Sequence, residues 1–262
     1  MGIDSNIAID ISNIEIKYGN FSVIKDFSLQ IPKGEIVTLF GPSGCGKSTI
    51  LKAVLNQIQI SSGAILIDGI NSNKYKKPLA YTPQTNELLP WKTVLQNIEL
   101  WYNDTIETKM ESSINPSEAL EMVELSNQQY LLPSQLSGGM ERRTALARCI
   151  STNSKFLLLD EAFIAVERRL RRKLMVDIRN HIKTNKMTAL IISHDVEEAV
   201  FMSDRIIKLL ANPTEVSIDY KVELQESRNN ETFDSASFAA TVMQPMFVFD
   251  STVKMSEIYN SN

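Results

Sequence analysis

The run Gly41-Pro42-Ser43-Gly44-Cys45-Gly46-Lys47-Ser48-Thr49 fits the spacing G-x-x-x-x-G-K-[ST], and it follows the apolar run Ile36-Val37-Thr38-Leu39-Phe40. A buried strand, a glycine loop and a helix in that order form the context in which such a loop cradles phosphates. The glycines let successive backbone N–H groups turn toward one anion, and a helix opening near Lys47 adds its positive dipole end at the same point. In this reading Lys47 reaches the β- and γ-phosphates of a nucleotide such as ATP, and Ser48 ligates magnesium. A second wholly apolar run, Phe156 to Leu159, ends in Asp160-Glu161. A carboxylate at the C-terminal edge of a parallel strand lies beside the phosphate loop in this architecture, which places Asp160 to hold magnesium through water. Glu161, one residue later, points to the other side and can orient or polarise a water for γ-phosphate cleavage. His194, just after the apolar run ending Ile191-Ile192-Ser193, could touch the same γ-phosphate, with a hydrogen-bonded structural histidine as the competing reading. His181 reads as an ordinary surface or packing residue.

These groups need elements to position them. Ile7 to Ile11, Ile14 to Tyr18 and Phe27 to Ile31 alternate or nearly alternate apolar and polar residues, as half-exposed antiparallel strands do, and Ala64 to Asp68 continues the pattern into a turn at Gly69. From about Thr93 to Ser154 the spacing becomes helical, with Ala119, Leu120, Met122, Val123 and Leu125 as one example. The short apolar runs Phe156 to Leu159 and Ala189 to Ile192 then read as central parallel strands covered on both faces. After Pro213 the chain becomes polar and weakly patterned, notably around residues 225–230.

The 262 residues can bury one substantial core with a smaller subdomain attached, and the 43% hydrophobic content is that of an ordinary globular domain. No apolar run is long enough to cross a bilayer, Met1 to Asn6 lacks the pattern of a secretory signal, and Asn6 breaks the myristoylation pattern. Cys45 and Cys149 cannot build a disulfide framework, suit a reducing compartment and read as small buried residues. A net charge of −4 gives no global pull toward nucleic acid.

One further segment carries chemistry. Ser137 is placed to cap a helix whose first turn contains Gly138 and Gly139, so the N–H groups there form a second surface suited to an anion. Leu136-Ser137-Gly138-Gly139-Met140, with Gly41 to Thr49, Gln84, Asp160-Glu161 and His194 in this order, resembles the ATP-binding subunits of ABC transporters, up to about residue 215. Leu88-Leu89-Pro90-Trp91-Lys92-Thr93-Val94 and Met140 are similar to the ATPases of the importers of nitrate, sulfonate, taurine and bicarbonate, and of some importers of thiamine precursors, within that family.

The resemblance implies an α/β phosphate-loop (RecA-like) core with an N-terminal antiparallel β portion and a helical subdomain over about 88–154, within an ATPase domain of residues 1–215, followed by a tail of 216–262. It implies that Tyr18 stacks on adenine, that Gln84 touches magnesium and water, and that Ser137, Gly138 and Gly139 bind the γ-phosphate of ATP held by a second subunit. The expected assembly is a head-to-tail dimer, with two identical ATPases the simplest form. It docks on permease subunits at the cytoplasmic face of a membrane, and a solute-binding protein engages only through the permease. The chain departs from the family at Ala162-Phe163-Ile164-Ala165-Val166-Glu167, where Pro and then Ser-Ala-Leu-Asp are usual, which implies slower or less cooperative turnover. Glu141-Arg142-Arg143 replaces the usual basic-Gln-Arg order and reads as a solvated helix face. The competing classes are an ABC-type ATPase acting on nucleic acid or the ribosome, and a small-molecule kinase. The first lacks its coiled-coil insertion or second cassette here, and the second leaves Ser137 to Gly139 unexplained.

Overall fold

The apolar runs that precede each reactive cluster become strands of one sheet. The computed structural model describes residues 6–19, 21–85, 87–104, 114–164, 166–211 and 214–250. An antiparallel sheet is built from β1 (Ile7–Tyr18), β2 (Phe21–Pro32), β4 (Ser62–Ile67) and β5 (Ile70–Asn71), in the order β2-β1-β4-β5. The second sheet adds β3 (Ile36–Phe40), β6 (Ala80–Thr82), β7 (Phe156–Asp160), β8 (Thr188–Ser193), β9 (Arg205–Leu210) and β10 (Glu215–Lys221), in the order β10-β9-β3-β8-β7-β6. Every pairing in this second sheet is parallel except β9 with β10. The architecture is the expected α/β phosphate-loop core with an N-terminal antiparallel portion.

Alternation along the central strands divides the interior into two apolar layers. Leu157, Leu159, Ala189 and Ile191 pack with the helices on one face, whereas Phe156, Leu158, Leu190 and Ile192 pack toward the antiparallel sheet on the other. Both sets are buried, which is why these strands read as unbroken hydrophobic runs. The first layer is closed by α2 (Val94–Asp104), α3 (Pro116–Met122) and α4 (Gly138–Ile150), and by α5 (Arg168–Thr184) and α6 (Val196–Met202). The second is closed by α1 (Lys47–Val54) together with the antiparallel sheet. Of the helical stretch expected over 88–154, residues 105–113 lie outside the described residues.

Three local expectations change. The two N-terminal strands are one, because Asn13 takes a left-handed φ of 47° and absorbs a register shift between Ile11 and Ile14 while its N–H donates to Ser28 Oγ. A bulge lets one strand bend without ending. The boundary expected at residues 215 and 216 falls inside β10, which pairs with β9 and extends the central sheet. Beyond it Arg228, buried, donates to the carbonyls of Val200, Phe201 and Ser203 at the end of α6. Phe233 stacks on Phe201 at 3.9 Å between centroids, Phe238 meets both rings edge-on, and α7 (Ala236–Asp250) follows. The polar text of residues 225–230 conceals this attachment because its anchors are an arginine and isolated phenylalanines with no periodic pattern. Of the expected tail, residues 251–262 lie outside the described residues, as do Met1 to Ser5.

The third change concerns Glu141-Arg142-Arg143. Arg142 is 6% exposed, and Arg143 donates to Val123 O at 2.7 Å at the C-terminal end of α3. The charge run is largely an internal clamp, because helix and strand ends leave carbonyls without backbone partners.

Because Phe233 is buried against Phe201, Phe233→Ala is expected to cost about 3–5 kcal/mol of folding stability. Urea unfolding of the full chain measures it.

Candidate functional site

The parallel register of β3, β8 and β7 brings their carboxyl ends to one edge of the sheet. The loop after β3 there leads into α1, whose first turn starts at Lys47. Gly46 caps α1 with a φ of +94°, and a Cβ at this position would lie 2.5 Å from Thr214 Oγ1. At Gly41 a Cβ would lie 2.6 Å from Leu209 O. The loop is therefore pressed against β9 and against Thr214. The Thr214 hydroxyl sits between Val23 O at 2.9 Å and Cys45 O at 2.8 Å, tying β2 to the loop. Nothing in the residue types marked Thr214, since its role depends on a distant segment returning to the loop.

Lys47 is buried, and its ammonium donates to Gly41 O at 2.7 Å and Pro42 O at 2.8 Å, curled over the concave side of the loop. Ser48 Oγ donates to Asp160 Oδ1 at 3.3 Å. Asp160 stands at the end of β7, and burial pushes its carboxyl above the ordinary range while the Ser48 hydroxyl and the Arg142 charge oppose that shift. Glu161 follows with a φ of 50°, and its N–H donates to Ile192 O at 3.0 Å. The left-handed turn swings the Glu161 side chain away from Asp160 and costs roughly 1–2 kcal/mol for a residue with a Cβ.

Gln84 Nε2 donates to Glu161 Oε2 at 3.4 Å, and His194 Nδ1 lies 3.0 Å from Glu161 Oε1. One carboxylate thus sits between the loops after β6 and β8. The cleft of about 180 Å³ is lined by Val23, Ser43, Gly44, Gly46, Lys47, Ser48, Thr49, Gln84 and Glu161. A larger cavity of about 980 Å³ near the start of α5 contains none of these groups and is lined mostly by charged side chains, with Leu170 and Asn230 among them. The small cleft gathers Lys47, Ser48, Gln84 and Glu161, the residues expected from the sequence.

Two sets of expected residues lie apart from this cluster. Ser137 Oγ accepts from Met140 N at 3.3 Å and caps α4, with Ser137 and Gly138 exposed at the surface of the subunit. Tyr18 is 56% exposed at the β1–β2 hairpin, outside the residues that line the cleft. Both can complete a site only with something that arrives from outside the cleft. Cys45 and Cys149 are free and buried. In the departing segment Ile164 is 43% exposed, Glu167 occupies the N-cap of α5 without a capping hydrogen bond, and Ala165 lies outside the described residues.

The oxygen donors Ser48 Oγ and Asp160 Oδ1 suit a hard cation such as magnesium. Among the described residues no group of three or more His, Cys, Asp or Glu side chains could hold a metal by itself. That sparse donor set fits magnesium, which keeps several waters and takes phosphate oxygens as ligands.

A glycine loop between a parallel strand and a helix, with a carboxylate at the neighbouring strand end, defines a phosphate-loop nucleoside triphosphatase. Residues 24–164, more than half of the chain, match the family described as ABC transporter. The chain belongs to this family and is an ATPase of the ATP-binding-subunit type. It is 35% identical over 222 residues to the aliphatic sulfonates import ATP-binding protein SsuB of Zymomonas mobilis, covering 85% of this chain and 89% of that one. It is 33% identical over 252 residues to the spermidine/putrescine import ATP-binding protein PotA of Aggregatibacter actinomycetemcomitans, covering 94% of this chain and 65% of that one. Among solved structures, the ATP-binding cassette MJ0796, in a dimeric post-hydrolysis state bound to ADP and Pi, matches with a TM-score of 0.72 and 26% identity, over 83% of this chain and 100% of that one.

Gly46→Ala is expected to weaken binding of a fluorescent ATP analogue at least about tenfold, because the new Cβ meets Thr214 and the left-handed backbone is strained. Equilibrium titration checks this. Glu198, on α6, is buried with Oε1 lacking a partner among the described residues, and burial with the nearby Asp195 pushes its carboxyl up to about 8. Between the ordinary glutamate range and about pH 8 the unfolded chain releases a proton that the folded chain keeps, so raising the pH favours unfolding. Stability should fall by up to about 1.4 kcal/mol per pH unit over that window. Glu198→Gln should flatten the slope when urea unfolding is compared at several pH values.

Proposed function

We propose that the chain is the ATP-hydrolysing subunit of a solute importer, acting as a dimer at the cytoplasmic face of a permease. The observation that carries the reading is the convergence of Gln84 and His194 on the two oxygens of Glu161 beside the phosphate loop. Glu161 orients the attacking water by accepting a hydrogen bond from it, and its carboxylate takes up the proton the water loses as its oxygen bonds to the γ-phosphorus. Gln84 and His194 hold the Glu161 side chain in place, and His194, 56% exposed, keeps a face toward the nucleotide. Lys47 exchanges its loop carbonyls for phosphate oxygens and balances the charge that builds as the β–γ bridge breaks. Ser48 and Asp160 are the residues that would hold magnesium, which supplies Lewis-acid neutralisation of the phosphate oxygens.

Tyr18 and the exposed Ser137 to Gly139 loop complete this picture, the first against adenine and the second against the γ-phosphate held by the other subunit. A site shared in this way is complete only on closure, so ATP favours association and hydrolysis releases it. No described helix is long and apolar enough to cross a membrane, which supports a peripheral position. The permease contact is supported by the Leu88 to Val94 segment. Asn97, fully buried, accepts from Leu89 N at 2.8 Å and donates to the carbonyls of Leu89, Lys92 and Thr93, pinning a loop from which Trp91 stands 71% exposed. The adjacent groove of about 380 Å³ includes Leu79, Tyr81, Leu89 and Leu100.

For cargo we favour an organic or inorganic anion such as a sulfonate, nitrate or bicarbonate. The Leu88 to Val94 segment and Met140 support it, as does the extent over which the chain parallels SsuB. A polyamine, the cargo named for PotA, is the second reading, resting on identity of similar size.

Glu161→Gln is expected to abolish phosphate release while ATP still binds, and to trap an ATP-dependent dimer in size-exclusion chromatography; retained hydrolysis would remove Glu161 from its role. Restoring Ser at 164 and Asp at 167 should raise the steady-state hydrolysis rate, and an unchanged rate would sink the reading of that segment. Cargo is decided by which solute, an alkanesulfonate or spermidine, stimulates ATPase activity of the assembled transporter in liposomes.

A further inference from the structure

Arg142 has no part in the chemistry above, yet it is the most heavily engaged side chain at the edge of the cleft. It lies in the second turn of α4, which begins at the Ser137 to Gly139 loop. Its Nη1 donates to Pro83 O at 2.7 Å and Gln84 O at 2.6 Å, and its Nη2 donates to Asp160 O at 2.8 Å and Glu161 O at 2.7 Å. The backbone ladder between β6 and β7 ends at the Thr82–Leu159 pair, immediately before these carbonyls. The planar guanidinium therefore continues the ladder as a side-chain rung where the two strands end.

That placement has a cost. Among the described residues no salt bridge to a carboxylate compensates the buried cation and its Nε has no partner, and burial pulls its proton affinity down while the nearby Asp160 and Glu161 charges hold it up. A buried charge held by carbonyls alone is expensive, and only a forked donor spans two pairs of oxygens on two strands. Glutamine, the usual residue here in the resembling family, carries a single NH₂ group and cannot make all four bonds. The fork also bears on the strained residue. Glu161 is fixed on one side by its N–H to Ile192 O, and on the other by its own carbonyl accepting from Arg142. An unfavourable backbone conformation persists only where its surroundings over-determine it.

We propose that Arg142 is a positioning residue for hydrolysis: it fixes the backbones of Glu161 and Gln84, and through α4 it ties their orientation to the exposed Ser137 to Gly139 loop. This rests on the reading of Glu161 as the water-orienting carboxylate. The link makes the loop offered to one nucleotide and the carboxylate serving another parts of one rigid unit within the subunit. Glu161 and Gln84 respond together when α4 moves.

The test compares Arg142→Gln, Arg142→Lys and Glu161→Gln in the full chain. Arg142→Gln should lower kcat about 10- to 100-fold, as displacement of a catalytic group does, with KM and affinity for a fluorescent ATP analogue nearly unchanged. Arg142→Lys, which keeps the charge and reaches some of the carbonyls, should recover part of the rate. The proposal is overturned by an unchanged kcat, or by kcat and nucleotide affinity falling together with the melting temperature. Should Arg142→Gln fail to fold, Arg142→Lys decides alone: a reduced kcat at unchanged nucleotide affinity supports the proposal, and a normal kcat overturns it. Hydrolysis surviving in Glu161→Gln would overturn the role of Glu161 and this proposal with it, whereas loss there beside an unaffected Arg142→Gln overturns the proposal alone.

Discussion

The parallel pairing of β3, β8 and β7 is the constraint on which the site depends. In a parallel sheet all strands end at the same edge, so the loop after β3, the carboxylates after β7 and the histidine after β8 meet without any long-range search by their side chains. The pairing is possible because each strand is apolar on both faces and is covered on both, by helices on one side and by the antiparallel sheet and α1 on the other. Helices and glycines tune the geometry of the cluster, but its existence follows from strand direction.

A second theme is the use of buried arginines to finish element ends. Arg142 closes β6 and β7, Arg143 closes α3 and Arg228 closes α6. Each end presents carbonyls beyond the regular ladder or helix turns, and a guanidinium supplies several donors from one side chain. These contacts are nonlocal. Arg228 attaches the C-terminal segment to α6, the helix that begins just after His194, so the segment beyond β10 is anchored to the element next to the cleft.

Polar residues that position others were the hardest to read in the sequence. Asn97 and Thr214 carry no motif, and each acts on backbone atoms of loops distant along the chain. Arginine among charged neighbours at the start of a helix looks like a solvated face by composition alone, and only the depth of α4 against β6 and β7 reverses that reading.

The sequence by itself determined the class of protein and the type of site. Glycine spacing, a lysine after the last glycine and carboxylates after an apolar run are local chemical patterns, and local patterns need no knowledge of contacts. It also determined the central strands, since burial on both faces leaves an unbroken apolar signature. Only the tertiary structure decided that Gln84 and His194 share the oxygens of Glu161, that Arg142 lies beneath the cleft and that the C-terminal segment is docked. Those facts depend on which distant backbones end side by side, and no residue carries that information in its own type.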